Sequence, residues 1–97
     1  MKKLISVVIP TYNEEQNIPL VAKAIEDVFF VLPEYDFEII FVNDGSHDNS
    51  LLEILRLSKN SSKIKGLDFS RNFGKEVATS AGCHSAIGDV VITMDAD

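Results

Sequence analysis

Leu4-Ile5-Ser6-Val7-Val8-Ile9-Pro10-Thr11-Tyr12-Asn13-Glu14-Glu15 is the stretch that decides the fold. Its first six residues are nearly all apolar, on both sides of the alternation, and rich in β-branched side chains, the pattern of a strand covered on both faces, as in a parallel sheet. Pro10 is expected to stop it. Downstream, Ile18, Val21, Ile25, Val28, Phe29 and Leu32 fall at helical spacing, with Asn17 placed to cap the start and Pro33 to end the run. Phe37–Val42 repeats the buried-strand pattern and runs into the turn residues Asn43-Asp44-Gly45-Ser46. Ser46 or Asp48 can cap a second helix with Leu51, Leu52, Ile54, Leu55 and Leu57 on its buried side. A weaker third strand spans about 63–69, a small-residue helix about 74–87, and a fourth strand 89–94.

The order β-α-β-α-β-α-β predicts an α/β fold with a doubly wound parallel sheet. Right-handed crossovers arrange the strands 3-2-1-4, with helices one and two on one face and helix three on the other. The order reverses between strands one and four. Ligands of such sheets bind at that reversal, beyond the carboxyl ends of the strands.

The 97 residues suit one domain. Nine basic against fifteen acidic residues give a net charge of −6, and no basic cluster exceeds Lys2-Lys3. Nucleic acid is therefore excluded as a partner. The longest apolar run, Val28–Leu32, falls far short of the roughly 20 residues of a spanning helix. With one cysteine, Cys83, no internal disulfide can form, which fits a cytoplasmic setting.

The polar residues collect at one edge of the predicted sheet: Pro10–Glu15 after strand one, Asp44-Gly45-Ser46 after strand two, Ser70–Lys75 after strand three, Asp95-Ala96-Asp97 after strand four. Two carboxylates spaced as in Asp95-x-Asp97 suit Mg²⁺ or Mn²⁺, which take oxygen ligands and leave positions for substrate phosphates. Read singly, they are equally two solvated loop acids. Asp44 is either a turn residue or an acceptor for a nucleobase N–H, and Tyr12 either a rim aromatic or a platform for a base. Arg71 and Lys75 suit phosphate oxygens, or are solvated cations. Gly74-Lys75 is not a P-loop, because Phe69 and Glu76 stand where Gly and Ser/Thr are required. His47 and His84 lack metal-ligand spacing and read as structural, and Cys83 as packing.

Taken together, Ser6–Glu15, Val42–Ser46 and Asp95–Asp97 resemble glycosyltransferase family 2, in order and spacing across essentially the whole chain. Ser70-Arg71-Asn72-Phe73-Gly74-Lys75-Glu76 narrows the resemblance to its polyprenyl-phosphate branch, the enzymes that load sugars onto dolichyl or undecaprenyl phosphate. The resemblance implies a nucleotide-diphospho-sugar transferase of GT-A type. In it Pro10, Tyr12 and Glu14 line the nucleoside pocket, Asp44 bonds the base, and Arg71 and Lys75 lie toward the phosphates. Asp95 and Asp97 hold Mg²⁺ or Mn²⁺ as the catalytic metal site. The implied reaction is an inverting transfer from a UDP- or GDP-sugar to a lipid phosphate.

Family members extend well beyond this length. Residues 1–97 are thus expected to be the N-terminal nucleotide-sugar-binding half of a larger transferase, inactive alone. The lipid acceptor and any membrane association would belong to a C-terminal part, and the whole would work in the cytoplasm or on the cytoplasmic face of a membrane. The alternatives are a non-catalytic nucleotide-sugar-binding module and a phosphoacceptor domain. The latter is disfavoured because Pro10-Thr11-Tyr12 separates the acids from strand one.

Overall fold

The computed structural model describes residues 2–97. The elements are β1 (Lys3–Thr11), α1 (Asn17–Phe30), β2 (Tyr35–Asn43), α2 (Ser50–Asn60), β3 (Ile64–Asp68), α3 (Lys75–Ser85) and β4 (Val90–Thr93). The sheet order is β3-β2-β1-β4, all pairings parallel, as the alternation of elements predicts.

The two faces of the sheet follow from the period-two alternation of its central strands. Val7, Ile9, Ile39 and Phe41 meet Ile18, Ala22 and Ile25 of α1 and Ile54 of α2. Val8, Ile40 and Val42 meet Ala78 of α3 on the other face, with Cys83 packed alongside. Small residues let α3 approach closely. A Cβ on Gly82 would run into the Cγ1 of Val8.

Several boundaries differ from expectation. β1 runs through Pro10 to Thr11. The even-numbered residues of β1 turn their backbone groups toward β4, as the bonds Asp89 N–H to Leu4 C=O and Met94 N–H to Val8 C=O show. β4 ends at Thr93, opposite Val8. The missing N–H of Pro10 therefore faces a position where no ladder partner stands, and the strand tolerates it.

The start of α1 is not capped as expected, and at α2 Asp48 rather than Ser46 serves the first turn. Asn17 is the first residue of α1, whose N-cap position, Gln16, makes no side-chain bond. The carbonyl of Glu14 instead takes the N–H groups of Asn17 and Ile18. At α2, Asn49 occupies the cap position, and Asp48 from one residue earlier accepts the Ser50 N–H at 2.9 Å. Ser46 serves the β1–α1 loop instead. Of the five apolar residues assigned to the inner side of α2, Ile54 is buried, Leu51 and Leu57 are half-buried, and Leu52 and Leu55 are exposed. The short β3 is too narrow a platform to cover the whole stripe. No helix among the described residues is long and apolar enough to cross a membrane.

Candidate functional site

The carboxyl ends of β1, β2 and β4 open into a cleft of about 270 Å³. It is lined by Pro10, Thr11, Tyr12, Glu14, Asp44, Lys75 and Asp95–Asp97. Seven of the eight residues singled out from the sequence thus meet in one place, at the reversal of strand order. Arg71 stands apart. Its guanidinium lies over the ring of Phe73, 4.7 Å from the centroid, and it lines a neighbouring groove on the β3 side.

Two loops support the Tyr12 wall of this cleft, and each holds the other. The N–H of Asn13 donates to Ser46 Oγ at 3.0 Å, and the N–H of His47 returns a bond to Asn13 Oδ1 at 2.8 Å. The N–H of Glu14 donates to Ser50 Oγ at 2.8 Å, and that hydroxyl donates to Asp48 Oδ1 at 2.6 Å. Burial opposes the charge on Asp48, yet the bonds from Ser50 and Glu15 hold its carboxyl below the ordinary value. Asn13 accepts a positive φ of 54°, a conformation asparagine tolerates better than most residues. Tyr12 is left half-out of the surface, with its ring edge-on to His47. Asn13, Ser46, Asp48 and Ser50 are thus spent on loop geometry.

Asp44 is 3% exposed. Its Oδ1 accepts the Phe73 N–H at 2.8 Å, and its Oδ2 accepts the Gly74 N–H at 3.1 Å and the Asn72 amide at 3.0 Å. It therefore ties the loop that leads into α3 to the end of β2, just ahead of a cap position that is a glycine at φ 104° with no side-chain cap bond. A carboxylate at a helix N-terminus is also favoured by the helix dipole. Gly45, at φ 71°, lies so close to the backbone of Arg71 and Asn72 that no side chain fits there. Asn72 had no role assigned from the sequence. Its place beside Asp44 depends on a contact 28 residues distant.

At the end of β4 the three residues divide cleanly. Ala96 is tucked into the core with Val7 and Ile9, while Asp95 and Asp97 are exposed and both line the cleft. Lys75 in the first turn of α3 pairs with Asp95 at 2.5 Å. Among the described residues no group of three or more His, Cys, Asp or Glu could hold a metal ion. Two carboxylates on one cleft fit a hard divalent cation whose remaining ligands are diphosphate oxygens and water.

Residues 6–97 match the model of glycosyl transferase family 2. The chain belongs to that family. It is 47% identical over 94 residues to the putative glycosyltransferase CsbB of Bacillus subtilis, covering 97% of this chain and 28% of that protein. It is 43% identical over 93 residues to a prophage bactoprenol glucosyl transferase homolog of Escherichia coli (96% and 30%). Against the undecaprenyl-phosphate 4-deoxy-4-formamido-L-arabinose transferase of Aeromonas hydrophila the identity is 42% over 97 residues (98% and 29%). Two of these three relatives are named for bactoprenol or undecaprenyl phosphate, which supports the polyprenyl-phosphate branch of the family.

Among solved structures, Staphylococcus aureus TarS 1-349 in complex with UDP-GlcNAc superposes with a TM-score of 0.76 at 30% identity, covering 100% of this chain and 27% of that one. Glucosyl-3-phosphoglycerate synthase from Mycobacterium tuberculosis, in complex with Mn²⁺, UDP and phosphoglyceric acid, gives 0.74 at 26% identity (98% and 33%). The fold is of GT-A type. The chain spans under a third of the length of the curated relatives named here.

Proposed function

We propose that this chain carries the nucleotide-sugar and metal site of an inverting glycosyltransferase that moves a sugar from a UDP- or GDP-sugar to a polyprenyl phosphate. The observation that carries the proposal is the cleft itself, in which an aromatic, a buried carboxylate, an ammonium and two exposed carboxylates converge at the strand-order reversal. Family relatives named for bactoprenol and undecaprenyl phosphate support the acceptor class. The UDP-GlcNAc and Mn²⁺–UDP complexes of the structural neighbours support the donor and the cation.

In this reading Tyr12 packs against the base, with Pro10 and Glu14 completing the wall, and Asp44 accepts a base N–H beside the bonds it already holds. Lys75 faces the diphosphate, and Arg71 is the outlying cation, whose side chain has to leave Phe73 to reach a phosphate. Asp95 and Asp97 hold Mg²⁺ or Mn²⁺, which when bound offsets the charge of the departing nucleoside diphosphate. A phosphate nucleophile is already ionised near neutral pH, so displacement at the anomeric carbon needs no strong base from this chain. The reaction is placed in the cytoplasm or at the cytoplasmic face of a membrane, where lipid phosphate and nucleotide sugar meet.

The test is Asp95→Asn and Asp97→Asn in the full-length enzyme, assayed for sugar transfer to undecaprenyl phosphate at limiting Mn²⁺. Each change should cripple transfer. Undiminished activity in both would overturn the metal assignment.

A further inference from the structure

Tyr12 stands one residue beyond the last pinned position of β1. Thr11 is fully buried, its hydroxyl donates to the Val42 carbonyl at 2.9 Å, and its own carbonyl accepts the Asp44 N–H at 2.9 Å. On the other side of Tyr12 the chain turns at Asn13, whose positive φ is matched by two bonds to the loop that follows β2. Its N–H reaches Ser46 Oγ, and its Oδ1 accepts the His47 N–H across 34 positions. The backbone of Tyr12 is thereby fixed from both sides. Its ring has one aromatic neighbour among the described residues, the imidazole of His47, with 6.3 Å between centroids and 79° between planes.

That distance and angle are those of a favourable edge-to-face pair. Asn13 places both of its members, Tyr12 through the peptide bond they share and His47 through the amide oxygen. The two residues are therefore joined twice, once through backbone and once through their rings. His47 does not line the cleft that holds Tyr12; it lines the neighbouring groove on the β3 side. It is thus placed to act on Tyr12 from behind rather than on a ligand. A ring that moves freely has to be ordered when a ligand packs on it, and that ordering subtracts from affinity. A ring already held by a neighbour avoids the cost. All of these contacts fall within residues 11–47, in β1, β2 and the loops that leave them.

We infer that His47 and Asn13 are positioning residues for Tyr12: they hold its ring in one orientation on the cleft wall and so raise affinity for the base of a nucleotide without touching it. The link to a base rests on the function proposed above, whereas the link to the ring of Tyr12 does not.

The experiment uses His47→Ala, His47→Phe and Asn13→Gly in the full-length protein, with Tyr12→Ala as the control. Asn13→Gly keeps access to positive φ and removes only the side-chain acceptor. Calorimetry with Mn²⁺ present measures binding of UDP, GDP and inorganic pyrophosphate, and nuclear magnetic relaxation of ring-labelled tyrosine measures the order of the Tyr12 ring. His47→Ala and Asn13→Gly should each weaken the nucleotide by roughly 2- to 12-fold, the scale of ordering one side chain. Pyrophosphate, which has no base, should bind as before. His47→Phe can keep an edge-on ring and should restore both nucleotide affinity and ring order, which fall together in His47→Ala. Ring order that stays at the parent's level in both His47→Ala and Asn13→Gly would overturn the inference. So would nucleotide affinity that His47→Ala leaves unchanged while Tyr12→Ala loses it, or an equal loss for pyrophosphate. If Tyr12→Ala binds UDP and GDP as the parent does, the base reading of Tyr12 fails, and ring order alone decides the positioning role. Should Asn13→Gly not fold, the two His47 variants, which keep the backbone N–H bonded to Asn13, carry the test.

Discussion

Lys75 Nζ lies 2.5 Å from Asp95 Oδ1, so one of the two carboxylates expected to hold a divalent cation is already paired with a cation of the chain. The hydrogen bond and charge of Asp95 hold the Lys75 ammonium above its ordinary pKa. In the function proposed above, a metal ion on Asp95 competes with this ammonium, and an ammonium so released is free to face a diphosphate. Lys75→Gln should therefore tighten Mn²⁺ binding in the absence of nucleotide, by about two- to fivefold as befits an exposed ion pair. The same change should weaken binding of UDP and GDP. Calorimetry with Mn²⁺ alone and with each nucleotide checks both signs, and the first effect should shrink as salt screens the pair. A loss of Mn²⁺ affinity in this variant would mean that Lys75 supports the metal site rather than competing for it.

Asp44 has two tasks, and one substitution reads both. Asp44→Asn leaves a single acceptor oxygen where the Phe73 N–H, the Gly74 N–H and the Asn72 amide share two. A buried donor left facing an NH₂ costs about 1–3 kcal/mol. Urea unfolding should register a loss of that size. If the carboxylate also accepts a base N–H, affinity for UDP or GDP should fall by roughly 5- to 150-fold for the same energy. A stability loss with unchanged nucleotide affinity would leave Asp44 as the clamp of α3 only.

The sheet and its edge were legible because they follow from local pattern. Leu4–Ile9 and Phe37–Val42 carry apolar residues on both faces, with Ser6 and Glu38 the exceptions, and a covered parallel strand suits that pattern. The cleft was legible for a related reason: polar residues after each strand share one edge once the topology is set. What the sequence could not show is where a polar side chain spends its bonds. Asp44 reaches residues 72–74, Asp48 and Ser50 hold the loop at Glu14, and Glu38 binds Ile87 across 49 positions. Arg71 was read as facing the cleft because its loop does. Its side chain instead lies on Phe73, a local contact that competes with the ligand edge. The apolar stripe of α2 was over-read because spacing reports which side is apolar, not how wide a sheet lies beneath it.

Gly82 tests the closeness of α3 to the sheet. In an exposed helix, alanine in place of glycine would stabilise by about 1 kcal/mol. Here the new methyl would meet Val8 Cγ1 well inside van der Waals distance and Val42 Cγ2 at 3.1 Å. Both valines are fully buried, and their branched side chains have little rotamer freedom. Overpacking of this type costs about 1–3 kcal/mol, enough to outweigh the gain in propensity. Gly82→Ala should thus lower the urea midpoint. A raised midpoint would show that α3 can move outward at little cost.

The last prediction concerns acid. Burial opposes the charge on Glu38, but the bonds from Lys65, Ser6 and the Ile87 N–H outweigh it and hold the carboxyl below its ordinary value of 4.5. The native state therefore keeps this group ionised at pH values where the unfolded chain has begun to protonate it. By linkage, its contribution to stability is fully present above the ordinary value and is lost as pH falls through the native one. Glu38→Gln carries no charge at any pH and has nothing to lose in that window. At neutral pH the variant should be less stable by about 1.5–3 kcal/mol, the scale of a hydrogen bond to a charged group. Below pH 4.5 the gap between parent and variant should narrow. Asp36, held below its ordinary value mainly by the hydrogen bond from Lys63, and Asp48 destabilise both proteins in acid alike. The difference between the two urea curves, rather than either curve alone, therefore isolates Glu38. A gap that stays constant from pH 7 to pH 3 would mean that the ionised carboxylate is not what holds Ser6, Lys65 and the Ile87–Gly88 turn together.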